Sequence, residues 1–129
     1  MELDRICDVL AARLRDRPEI LFAILYGSAG ENRDFRDLDV AVWVDRALIT
    51  VEGELRYAFD LTDELEKVVA HPVDVRVIND APLPFRYNVS RGRKLVALDE
   101  EAYYTFVERT RMAWWDFEPV AMDYLREMI

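Results

Sequence analysis

Leu3, Ile6, Cys7, Leu10 and Leu14 recur at the spacing of one helical face with charged residues between them, which predicts an amphipathic helix over residues 3 to 15. Pro18 marks its exit. The run EILFAILY, Glu19 to Tyr26, is apolar throughout and too short for a helix, so it predicts a buried strand that ends at Gly27-Ser28. From Asp37 the chain alternates: Leu38, Val40, Val42 and Val44 fall on one face of a second strand, Asp37, Asp39, Ala41 and Trp43 on the other. Residues 52 to 69 return to helical spacing, with Leu55, Ala58, Phe59, Thr62, Leu65 and Val69 predicted on the inner side.

A third strand is predicted in PVDVRVI, where alternation sets Asp74 and Arg76 against a face of valines. APLPFRYNVSRG, with two prolines, predicts a loop containing a short helix, and KLVAL a brief fourth strand. From about Asp99 onward the pattern is helical, with Pro119 expected to bend or restart the helix. Helix, strand, strand, helix, strand, strand, helix is the order of an α/β (α+β) fold: a mixed sheet of about four strands with helices packed on it. At 129 residues the expectation is a single domain over 1–129.

Composition narrows the function classes. Hydrophobic residues are 52% and charged residues 33% of the chain, which suits a packed core rather than disorder. No run of about 18 apolar residues occurs, and the N-terminal MELDRICDVL carries acids where a secretory leader has bases, so a cytoplasmic, membrane-free location is expected. Cys7, the only cysteine, is expected to pack in the core. A net charge of −9 disfavours an extended nucleic-acid track, yet it is compatible with a nucleotide whose phosphates reach acidic side chains through a divalent cation.

That last possibility gains weight from three carboxylates. Asp37 and Asp39, one residue apart at the start of a strand, share a face and repel each other unless a cation joins them, and hard oxygen ligands suit Mg²⁺. Asp74 sits among valines, where an unpaired charge is costly. It therefore either joins the other two around a metal or pairs with a base such as Arg76. Gly27-Ser28, at the exit of a buried strand, can turn tightly and offer backbone N–H groups and a hydroxyl to phosphate oxygens. A calcium loop in NRDFRDLD is excluded, because the turn glycine and the bidentate glutamate are absent from the required offsets.

With Gly27, Ser28, Ala29 and Gly30, the Asp37-Leu38-Asp39 strand start and Asp74 in place, the sequence resembles the DNA polymerase β nucleotidyltransferase superfamily, and within it the minimal MNT-type nucleotidyltransferases. The resemblance covers nearly the whole chain. It implies a polymerase β-like nucleotidyltransferase fold, catalytic and metal-holding roles for Asp37, Asp39 and Asp74, and nucleotide binding by Gly27, Ser28 and Gly30. It further implies Mg²⁺ as cofactor, ATP as nucleotide donor, and AMP transfer to an acceptor hydroxyl.

The acceptor that the resemblance implies is a tyrosine of a partner HEPN-domain toxin, in a homo- or hetero-oligomer, which makes the chain an antitoxin. A non-catalytic antitoxin that acts by binding, and a transferase for small molecules, are the alternatives. Two departures stand out. Only eight residues separate Ser28 from Asp37, a shorter loop than is usual in the family, and the customary Arg before the loop glycine is missing at Ala29-Gly30. Arg33 or Arg36 is the candidate replacement cation. His71 is expected to take a surface or capping role, the RGRK cluster (Arg91 to Lys94) to form a solvated turn, and Trp114 and Trp115 to serve the core or an interface.

Overall fold

The computed structural model describes residues 2–27 and 37–128. Eight elements follow one another: α1 (Glu2–Arg15), β1 (Ile20–Tyr26), β2 (Leu38–Val44), α2 (Glu54–Val69), β3 (Val73–Val77), α3 (Leu83–Ser90), β4 (Arg93–Ala97) and α4 (Glu100–Met128). The strands form one mixed sheet in the order β3-β2-β1-β4, with β1 antiparallel to both β2 and β4 and β2 parallel to β3. A parallel pair needs a long crossover, and α2 provides it. Apolar patterning thus gives the predicted class, and the short helix expected in APLPFRYNVSRG is α3.

Strand alternation divides the core between the two sheet faces. Leu38, Val40, Val42 and Val44 pack with Leu10 and Leu14 of α1 and Leu61 and Leu65 of α2. Ala41 and Trp43 face α3 and α4, where Phe22 gathers Trp43, Tyr103 and Phe106 at ring-centroid distances of 5.7, 5.5 and 5.3 Å. Being covered on both faces, β1 is an apolar run rather than an alternating one. Cys7 is buried in the α1 face, and burial pushes its thiol pKa up, which keeps it unreactive at neutral pH.

At the outer edge of β3 the backbone is capped from α2. Val73 donates its N–H to Glu66 Oε2 at 2.9 Å, and Val75 to Thr62 Oγ1 at 3.1 Å. Thr62 is therefore inward as predicted. Leu55 and Phe59 are not: they stand 69% and 66% exposed, while Leu61 takes the buried position. The helix turns its Ala58, Leu61, Leu65 and Val69 stripe to the sheet, and at the end nearest Glu54 nothing in the described chain covers the next apolar positions.

The other departure is α4. It runs through Pro119 to Met128 as one helix, so the chain does not restart there. Trp114 stacks on Tyr87 of α3 at 4.6 Å, and beyond it Phe117, Val120, Tyr124 and Leu125 are exposed, so this end lies past the sheet it started on. No helix among the described residues is long and apolar enough to cross a membrane. His71 accepts its expected local role, its Nδ1 lying 2.9 Å from the Val69 carbonyl.

The α3–β4 turn passes directly over β1. A methyl group on Gly92 would press on the Leu25 carbonyl oxygen and stand 2.8 Å from Ile24 Cγ2 and 3.1 Å from the Val89 carbonyl, all in the buried centre. Gly92→Ala is therefore expected to destabilise the fold by about 1–3 kcal/mol, the range for overpacking a rigid interior. Urea unfolding should show a lower midpoint at an unchanged m-value, and an unchanged midpoint would mean that the turn yields freely.

Candidate active site

Strand register brings the chemistry together. Tyr26 on β1 pairs with Asp39 on β2, and Asp39 pairs in turn with Asp74 on β3, so three polar side chains form one row across the sheet where β1 ends and β2 begins. Alternation sends all three to the face shared with Ala41 and Trp43. Asp37 lies just before β2 and is exposed. The row exists because β2 and β3 are parallel: each opens with an apolar residue, Leu38 beside Val73, which puts the following aspartates abreast.

Gly27 closes the row from above. Its φ of +75° is a left-handed conformation, and a Cβ there would lie 2.6 Å from Asp39 Oδ2. Only glycine satisfies both conditions, so the Asp39 carboxylate rests against bare backbone at the point where the chain leaves β1. Ser28, Ala29, Gly30, Arg33 and Arg36, the remaining residues of the expected phosphate loop, lie outside the described residues.

The electrostatics are those of crowded acids. Partial burial, then Asp74, then Asp37 raise the Asp39 pKa, and only Arg76 opposes them. Burial also pushes Tyr26 up to about 12, with Asp39 and Asp74 adding to it and Arg76 again opposing. Tyr26 is thus a neutral phenol at physiological pH, packed edge-on against Phe85 at 5.4 Å. Asp74 has its own cation: Arg76 Nε lies 3.1 Å from Asp74 Oδ2, and the guanidinium sits over the Phe85 ring.

Both environments weighed for Asp74 are therefore present, adjacency to Asp39 and an ion pair with Arg76. No three His, Cys, Asp or Glu side chains among the described residues close on one point as a metal cage would. Tyr26 and Arg76 complete the site, and the sequence signalled them weakly: Tyr26 only by preceding Gly27, Arg76 only by sharing a face with Asp74. Arg91 to Lys94 lie elsewhere, with Arg93 bound to Asp4 at 2.9 Å and Arg91 over the Tyr87 ring.

Comparisons place this geometry among known proteins. A chain in the solved structure of a tri-AMPylated Shewanella oneidensis HEPN toxin in complex with MNT antitoxin shares the fold with a TM-score of 0.71 at 16% identity, over 98% of both chains. A toxin–antitoxin structure with AMP-PNP gives 0.69 at 15% identity, over 95% of this chain and 97% of that one. The MntA–HepT toxin–antitoxin structure gives 0.65 at 15%, over 98% and 96%. Likeness at these identities establishes the fold. No curated protein matches the sequence. The family model described as Polymerase beta, Nucleotidyltransferase matches residues 9–101, a span that holds β1 to β4 and every residue of the carboxylate row. The chain belongs to the polymerase beta nucleotidyltransferase family.

Proposed function

We propose that the chain transfers AMP from ATP to a tyrosine hydroxyl of a HEPN-domain toxin, in a Mg²⁺-dependent reaction, and so acts as an antitoxin. The observation that carries this reading is the row Tyr26–Asp39–Asp74 with Asp37 beside it, where aspartates are crowded and Arg76 is the one cation that eases Asp39. The relatives in fold supply the acceptor and donor classes: one is a complex that contains an AMPylated HEPN toxin, another contains AMP-PNP.

The donor set fits the ion. Asp37, Asp39 and Asp74 offer only carboxylate oxygens, the ligands of a hard divalent cation, and the negative charge of Asp74 and Asp37, which adds to burial in raising the Asp39 pKa, favours a cation there. Bound by these carboxylates, Mg²⁺ supplies Lewis-acid polarisation of the α-phosphoryl group. Gly27 keeps side-chain bulk away from the triphosphate, with Ser28 and Gly30 as the expected continuation of the same cradle. Asp74 takes the hydroxyl proton as the acceptor oxygen bonds to the α-phosphorus and the bond to pyrophosphate breaks. Tyr26, holding its own proton, is a neutral wall beside the acids and not a base.

A second reading, neutralisation by binding alone, is favoured by the exposed apolar end of α4. Purified chain, Mg²⁺, labelled ATP and a candidate HEPN-domain partner separate the two, because label on that partner requires catalysis. Asp37→Asn and Asp39→Asn are each expected to lower transfer about a hundredfold or more. Wild-type transfer in both variants would remove the metal-holding role.

Asp39→Asn has a second expected signature. Because the folded state holds the Asp39 proton more tightly than the unfolded state, this carboxyl favours folding at low pH and loses that contribution as pH rises through its raised value. At pH 7 the variant should melt above the wild type, and the advantage should vanish below about pH 4, the ordinary carboxylate range. A melting temperature that falls at pH 7 would contradict the raised pKa that burial and the neighbouring carboxylates give Asp39.

Asp74→Asn distinguishes base from ion-pair partner. As the base, its loss should leave ATP affinity near wild type and lower single-turnover transfer by about 10²–10⁴. As a partner of Arg76 alone, half-exposed on both sides, its loss should leave transfer intact and cost about 0–1 kcal/mol of stability. Nucleotide titration, single-turnover kinetics and thermal melting on this one variant decide.

A further inference from the structure

We propose that the cavity between the first turns of α4, helix α3 and the end of β2 binds a small organic carboxylate through Arg86. The cavity has a volume of about 460 Å³, within the range of small-molecule sites, and lies on the α3/α4 face of the sheet. Trp43 and Phe106, whose ring centroids are 5.6 Å apart, form part of its wall. Trp43 is four residues along β2 from Asp39 on the same face, about 13 Å at the rise of a strand, so the cavity is separate from the carboxylate row.

Arg86 is a cation without a counterpart. Among the described residues three arginines are half-buried, Arg17, Arg46 and Arg86. Arg17 holds Glu19 and Glu64, and Arg46 holds Glu54 and Asp80. Arg86 has no carboxylate and no hydrogen-bond acceptor among the described residues, and its Nε is buried without a partner. Its guanidinium instead lies over the Trp43 and Phe106 rings, 5.8 and 5.5 Å from their centroids. Attraction to the ring faces holds the charge in place without neutralising it. A partly desolvated cation that the described acids leave unpaired favours an anion from outside the chain.

The surroundings select the class of anion. A guanidinium edge matches the two oxygens of a carboxylate or of a phosphate in a forked pair. Arg109, also in the lining, adds a second positive charge, while Asp99 and Glu101 add two negative ones, and Asp99 already accepts the Ala102 N–H at 3.0 Å. With that balance, in a chain of net charge −9, one negative charge is accommodated more easily than the two of a phosphate monoester. The aromatic wall of Trp43 and Phe106 suits a flat apolar body behind the carboxylate.

The test titrates the full chain with naphthoate as probe, with naphthamide as its uncharged counterpart and with inorganic phosphate, and follows the indole N–H resonance of Trp43, assigned through Trp43→Phe. Naphthoate is expected to shift that resonance saturably, with naphthamide and phosphate binding at least tenfold more weakly. Arg86→Met keeps the apolar stem and removes the charge, and Thr105→Glu adds a competing carboxylate at an exposed position of the lining. Each should weaken naphthoate at least tenfold, whereas Arg15→Met, exposed and outside the cavity, should bind like the wild type. The exposure of Thr105 predicts a wild-type melting temperature for Thr105→Glu, so this variant carries the test even if Arg86→Met folds poorly.

A wild-type resonance that does not shift, equal affinity for naphthoate and naphthamide, phosphate binding as tightly as naphthoate, or unchanged naphthoate affinity in Thr105→Glu overturns the site. An equal loss in Arg15→Met also overturns it, because the effect would then be one of net charge. So does displacement of naphthoate by ATP in Mg²⁺, since the probe would then occupy the nucleotide site. None of these outcomes depends on whether the chain transfers a nucleotide.

Discussion

Like-charge crowding at Asp39 is the constraint on which the rest of the structure turns. Its carboxylate is held between Tyr26 and Asp74, against the bare backbone of Gly27, with Asp37 near and only Arg76 easing the repulsion. Such an arrangement does not hold itself together. It persists because β1 and β2 are clamped by apolar layers on both faces, so the register that aligns the acids is fixed by burial rather than by the acids. A slip of one residue would turn Leu38, Val40 and Val42 out of their core, at a cost far above the repulsion it relieved. The site is a local conflict that a consistent fold can carry.

The two sheet faces divide the work. The α1/α2 face is aliphatic and carries only packing side chains, whereas the opposite face combines the Phe22–Trp43–Phe106 cluster with the carboxylate row. Asp39 therefore opens a series on β2 that continues through Ala41 to Trp43, with the half-buried acid at one end, the half-buried aromatic at the other and Ala41 fully buried between them. One periodicity serves both ends.

Much of this was legible in the sequence, for reasons that differ by element. Helix α1 and strands β1 to β3 announced themselves because each buries a face, or both, and burial imposes a period. The aspartates could be placed on one face from spacing within β2, but their alignment with Asp74 depends on pairing between strands 35 residues apart in register, which spacing alone does not encode. Tyr26 escaped notice because its role comes from the strand beside it. Leu55 and Phe59 misled for the opposite reason: helical period says which residues share a side, not whether anything faces that side.

That failure is itself informative. An apolar position that the described chain leaves open is surface still available for contact, and here such positions occur at the start of α2 and along the end of α4. At a net charge of −9, long-range attraction draws in only basic surfaces, so an uncharged partner must be held by short-range contacts. Apolar contact is short-ranged and insensitive to salt, and charge near the acids is reserved for whatever cation the site accepts. The acidic surface and the exposed apolar positions are thus compatible: the first favours cations, and the second offers contacts that salt does not weaken.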